Sequence, residues 1–102
     1  MDINMHKAWV EKIVPEEELN SRLLRFRAAM DAAHPDWETA IFFSKVNQYY
    51  FTGTMQDGML LVPRDREAVY WVYRSFERAV AESRFPVIKP MRSYREAAAA
   101  SG

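Results

Sequence analysis

Two apolar runs, Gly58-Met59-Leu60-Leu61-Val62 and Ala68-Val69-Tyr70-Trp71-Val72-Tyr73, stand close together in the chain, and neither alternates as a strand with one wet face would. Strands that are apolar on both sides belong to a sheet covered on both faces. Between them, Pro63-Arg64-Asp65-Arg66-Glu67 has the proline and aspartate of a type I turn, so the runs are expected to pair as a hairpin. Thr39-Ala40-Ile41-Phe42-Phe43 has the length and β-forming composition of another buried strand, and Val87-Ile88, bounded by Pro86 and Pro90, is expected to begin a last one.

Helices are expected around these strands. Leu19, Leu23, Phe26, Met30 and Ala33 recur at helical spacing and define one face, with Arg22, Arg25 and Asp31 on the other. Pro15 suits the first helical position, Glu16-Glu17-Glu18 complement the helix dipole there, and Pro35 ends the helix at about His34. Ser44 can cap a short helix over residues 45–51 that Gly53 closes. Residues 75–83 read as another helix, stopped by Pro86. Ser93-Tyr94-Arg95-Glu96 and the four alanines after it have high helix propensity and little to bury, so the chain is expected to be cut rather than finished.

The order helix, strand, short helix, hairpin, helix, strand, helix predicts an α/β fold, a mixed β-sheet flanked by helices on both faces, over residues 16–102. Residues 1–15 are expected to be an N-terminal arm, with Trp9, Val10, Ile13 and Val14 as apolar anchors whose pattern fits a helix or a strand equally.

With 102 residues there is room for one core, and 49% apolar with 27% charged residues is the mix of a globular protein. Fourteen basic and fourteen acidic residues cancel, so no overall field draws in nucleic acid or an anionic membrane, and neither is expected as a partner. No apolar stretch approaches the ~20 residues that span a bilayer, and no leader is recognisable. The lack of cysteine excludes a disulfide framework and thiolate metal sites; the cytoplasm is the expected compartment.

Catalytic and metal-ligating residues are both expected to be none. The chain has two histidines: His6 lies in the arm, and His34 lies at a helix end, where the dipole favours a cation. Glu16–Glu18 read as a solvated first turn, Asp65 and Glu67 as turn residues, and Glu77 and Glu82 as an outer helix face. There is no Gly-x-Ser-x-Gly elbow, and three glycines make no phosphate-cradling loop. Gly53-Thr54-Met55-Gln56-Asp57-Gly58 reads as a connection between the short helix and the hairpin. Tyr70, Trp71 and Tyr73 on a sheet could stack bases as in an RNA-binding domain, but the basic-Gly-aromatic signature of such a strand is missing.

Ser44-Lys45-Val46-Asn47-Gln48-Tyr49-Tyr50-Phe51-Thr52-Gly53, directly after an apolar strand, resembles the S-x-x-N-x-x-Y-hydrophobic-T-G segment of creatinase/prolidase N-terminal domains. Glu18 to Met30 is similar to that family's opening helix, Gly58 to Asp65 to its hairpin, and Arg78 to Ser83 to the helix behind it. The pieces come in the family's order over about residues 16–97; His34-Pro35-Asp36-Trp37 departs from it by replacing a glycine-containing helix stop.

The resemblance implies a ribonuclease H-like, non-catalytic N-terminal domain of a metal-dependent Xaa-Pro dipeptidase or aminopeptidase-like protein. The family's pita-bread catalytic domain holds two divalent metals on two aspartates, a histidine and two glutamates, and none of these ligands is assignable here. The chain alone is therefore expected not to be an enzyme and to carry no cofactor; divalent metal ions belong to the missing C-terminal catalytic domain, which is its implied partner. It also implies a homo-oligomer such as a dimer, and an active-site rim or subunit interface at Tyr49, Tyr50, Thr52, Gly53, Thr54, Met55, Gln56 and Asp57. A free-standing interaction module with an aromatic binding patch is the alternative reading, with an RNA-binding domain behind it. An apolar face left uncovered would drive dimerisation.

Overall fold

Pro15, in extended conformation, accepts backbone hydrogen bonds from Glu18 and Leu19 (3.1 and 3.2 Å) and so stands just outside helix α1 (Glu16–Ala33) rather than within its first turn. The computed structural model describes residues 13–100, so the expected arm, apart from Ile13, Val14 and Pro15, lies outside the described residues. Along α1, Leu19 and Leu23 are buried and Phe26 packs on the same core, whereas Ala33 is exposed. His34 closes the helix through its N–H to the carbonyl of Met30, and Pro35 follows.

The polar face of α1 is less idle than expected. Asp31 accepts from the Trp37 indole (2.8 Å) and pairs with Arg64 (3.1 Å). Arg22 donates to the carbonyl of Tyr50, and Arg27 donates to the carbonyls of Pro63 and Arg66 at the hairpin's turn. These charge-assisted bonds tie the helix to Tyr50 and to the hairpin's turn.

Four strands, β1 (Thr39–Phe42), β2 (Gly58–Pro63), β3 (Val69–Val72) and β4 (Ile88–Pro90), lie side by side in sequence order. The first three are antiparallel neighbours, and β4 runs parallel to β3. A parallel return requires a crossover, which helix α3 (Phe76–Glu82) supplies. Helix α2 (Lys45–Thr52) fills the connection from β1 to β2, and helix α4 (Tyr94–Ala100) follows β4.

Both faces of the sheet are covered, as the unbroken apolar runs require. On one, Leu60, Val62, Tyr70 and Val72 pack with Leu19, Leu23, Phe51, Ala79 and Phe85, so three helices share that layer. On the other, Met59, Leu61 and Trp71 pack with Met91 and Ala97 of α4. One short alanine-rich helix covers less than three do: Ile41 remains 48% and Phe43 61% exposed.

Candidate functional site

Helix α2 is held by local chemistry at both ends. The hydroxyl of Ser44 accepts from the Asn47 N–H, and Gly53 adopts φ 79°, a left-handed conformation in which its N–H reaches the Tyr49 carbonyl (2.8 Å). Between these caps, Gln48 is wholly buried. Its amide nitrogen donates to the carbonyls of Phe42 (3.2 Å) and Gly58 (2.7 Å), and its amide oxygen accepts from the Tyr70 hydroxyl (2.9 Å). One side chain therefore joins β1, α2, β2 and β3.

The loop from Gly53 to Asp57 is built on that anchor. Thr52 donates its hydroxyl to the carbonyls of Gln48 and Thr54, and the carbonyl of Thr52 accepts from the Ser83 hydroxyl. Gln56 donates its backbone N–H to the Tyr70 hydroxyl (3.2 Å). Thr54 and Gln56 both donate to one carboxylate oxygen of Glu82 (2.8 and 3.2 Å), and Arg78 donates to the other (3.0 Å). Asp57 pairs with Lys45 (3.1 Å), while its carbonyl accepts from the Tyr73 N–H.

The result is an open cleft of about 280 Å³ lined by Tyr49, Gly53, Thr54, Met55, Gln56, Arg78 and Glu82. Of the eight residues expected at a rim, Tyr49, Gly53, Thr54, Met55 and Gln56 line this cleft and Tyr50, Thr52 and Asp57 do not, and they do different things. Thr52 and Thr54 are buried, and their hydroxyls are occupied internally. Tyr49, Tyr50 and Met55 are exposed, at 47%, 45% and 51%. Tyr50 also lies outside the cleft, under the Arg22 guanidinium 4.6 Å from its ring centre.

Sequence reasoning missed Gln48, Tyr70, Arg78 and Glu82. The expectation that Glu82 simply lines an outer helix face is corrected by its bonds to Thr54 and Gln56. The spacing of Gln48 and Thr52, one helical turn apart, was the available signal for an inward polar pair. Nothing local links Tyr70 or Glu82 to this loop.

Burial pushes the Tyr70 hydroxyl above its ordinary range, against the lowering effect of its bond to the Gln56 backbone. The Glu82 carboxyl is held below its usual value, first by the Thr54 hydroxyl and, against partial desolvation, by Arg78. An unfolded chain binds that proton more readily, so Glu82 contributes stability above its ordinary value of 4.5, and this is lost as pH falls through the depressed folded value. Glu82→Gln is accordingly expected to lessen the loss of stability on acidification below about pH 5, read as the slope of urea midpoint against pH. An unchanged slope would show that the carboxylate is not held as described.

Chemically the cleft offers an aromatic ring, a thioether and a cation beside an already satisfied carboxylate, which suits recognition rather than bond-making. Among the described residues, no group of three or more histidine, aspartate or glutamate side chains could hold a metal ion. No helix of the described residues is long and apolar enough to cross a membrane. Tyr70 and Trp71 are buried on opposite faces of the sheet, leaving Tyr73, stacked on Tyr94, as the exposed member of that aromatic trio.

A family model described as the Creatinase/Prolidase N-terminal domain matches residues 22–101. Among solved structures, the chain is similar to the prolidase from Pyrococcus furiosus, at 28% identity and TM-score 0.59, covering 70% of this chain and 21% of that one. It is similar to a proline dipeptidase from Streptococcus agalactiae 2603V, at 25% identity and TM-score 0.60, over 78% of this chain and 65% of that one. A third similar structure is the creatinase/prolidase N-terminal domain of an X-Pro dipeptidase from Streptococcus pyogenes, at 25% identity and TM-score 0.61, over 80% and 66%. The chain spans about a fifth of the Pyrococcus protein and just under two thirds of the streptococcal chains. No curated protein matches it.

Proposed function

The chain belongs to the creatinase/prolidase N-terminal domain family, and from that premise we propose that it is the non-catalytic N-terminal domain of a metal-dependent Xaa-Pro dipeptidase or aminopeptidase-like protein. It serves subunit association, and its loop from Gly53 to Asp57, with Tyr49, borders the active site of that protein. The observation that carries this reading is the family match over residues 22–101, supported by relatives that are a prolidase and a proline dipeptidase. A second support is the exposed, anchored surface of Tyr49 and Met55, which a neighbouring domain or substrate can meet without displacing the buried threonines.

On this reading the divalent metals belong to the catalytic domain of that protein. Incubated with an Xaa-Pro dipeptide and Mn²⁺, the chain is expected to release no proline. In a longer parent that carries the catalytic domain, Met55→Ala with Tyr49→Ala is expected to raise KM several-fold with kcat little changed, as loss of uniform binding does. Turnover by this chain alone would overturn the proposal, and wild-type KM in the double variant would remove the rim from it.

A further inference from the structure

Trp71 carries a polar atom that the fold leaves unserved. Its side chain is only 7% exposed, and its indole nitrogen is buried without an acceptor among the described residues. An indole N–H can only donate, and a buried donor left without a partner is costly and uncommon in a folded protein. Tyr70, its neighbour on the opposite face, shows the contrast, because its hydroxyl bonds both Gln48 and Gln56.

Trp71 lines a cleft of about 230 Å³ on the sheet face that α4 covers. Leu61 on β2 is the register partner of Val69 on β3, and Trp71 is that of Lys89 on β4, which brings all four side chains to one face. The first three make an apolar floor, and the Lys89 ammonium lies 5.5 Å from the centre of the Trp71 ring. Arg66 and Glu67 enter from the hairpin's turn, and Ala100 from the end of α4. Arg66, Glu67 and Lys89 are exposed, and among the described residues none of them takes part in a salt bridge. Two uncommitted cations and an unpaired donor therefore line one apolar cleft, with a single acid beside them.

These groups favour one kind of ligand. A carboxylate has two acceptor oxygens and one negative charge, so it can take the indole N–H and the neighbouring ammonium together, with the Arg66 guanidinium as a forked donor. Leu61, Val69 and the indole ring favour an apolar body behind that charge. The volume falls below the roughly 300–1,000 Å³ of sites for drug-sized molecules, so the body is small. A bare phosphate would leave the apolar floor unused, and a hydrocarbon would leave the indole unpaired.

We infer that this cleft is a binding site for a small carboxylate with an apolar body, which accepts from the Trp71 indole and pairs with Lys89 and Arg66. It shares no residue with the cleft at Tyr49 and does not rest on the function proposed above. A free branched acid and a branched α-amino acid both present this chemistry. They differ by an ammonium, for which Glu67 is the one acidic residue lining the cleft.

Titration of the chain with isovalerate, followed through the indole N–H signals of a proton–nitrogen correlation spectrum, tests the inference. The Trp71 signal is expected to move and saturate with a Kd on the order of 1 mM, while isoamyl alcohol and inorganic phosphate leave it in place. Arg66→Gln and Lys89→Gln should each weaken binding about fivefold or more, with urea midpoints near wild type because both side chains are exposed and unpaired. Valine, the second probe, separates the two sources. Binding tighter than that of isovalerate and weakened by Glu67→Gln supports a site for an amino acid; weaker binding, with Glu67→Gln improving that of isovalerate, supports a site for a free acid. A Trp71 signal that neither probe moves at tens of millimolar, or that moves equally in the wild type and both cation variants, would overturn the inference. So would a signal that the alcohol moves as far as the acid does, since the cleft would then be an apolar crevice only.

Discussion

Gly58→Ala is expected to destabilise the fold by about 3 kcal/mol or more, lowering the melting temperature by roughly 12 °C or preventing folding altogether. Gly58 opens β2 opposite Val72, where the strands approach closely. A Cβ built there overlaps the Trp71 carbonyl oxygen and lies 3.1 Å from both the Trp71 carbonyl carbon and the Val72 Cα. All three are backbone atoms of the paired strand, so no side-chain rotation relieves the overlap. The strands must part, and with them goes the Gly58 carbonyl that Gln48 bonds.

Gly53→Ala makes the natural comparison. There the obstacle is the left-handed φ of 79°, while the nearest atom, Val14 Cβ, is an ordinary 3.8 Å away. A cost of about 1 kcal/mol is expected from conformation alone. Urea titration of both variants checks the contrast. Equal and small losses would mean that β2 and β3 are not as close at Gly58 as described.

Gln48→Ala is expected to cost about 3 kcal/mol, a large part of the roughly 5–15 kcal/mol that holds a domain together. The side chain is fully buried, and its removal takes a donor from two carbonyls and an acceptor from the Tyr70 hydroxyl. Each group left buried without a partner costs on the order of 1–3 kcal/mol. Because Gln48 and Tyr70 share one network, Gln48→Ala with Tyr70→Phe should cost less than the two single losses added, by about 1 kcal/mol. Additive losses in a double-mutant cycle would show that the two side chains act separately. The same variant should loosen the loop at Gly53–Asp57, since Gln56 rests on the Tyr70 hydroxyl.

Much of this framework is legible in the residues themselves. Pro35 ends α1, Ser44 and Gly53 bound α2, and the pair of apolar runs makes a hairpin in a doubly covered sheet. The residues proposed for a rim are adjacent in sequence, so their proximity was legible too. Their division of labour was not. Thr54 looks no different from Met55 in a string of loop residues, yet it is buried and Met55 is exposed. Glu82 sits on an exposed-looking helix, and its partners Thr54 and Gln56 lie 28 and 26 residues away.

The sequence by itself determined where elements start, stop and in what order they come, because caps, proline and glycine act on backbone within a few residues. It determined that the sheet is buried on both sides, since the apolar runs do not alternate. Only the tertiary structure decided that β4 returns parallel to β3, that Gln48 is the polar centre of the core, and that β1 comes first in the strand order of the described residues. Those outcomes depend on which segments meet across tens of residues, and the free energy of burial and long-range hydrogen bonding is set by that meeting rather than by any local pattern.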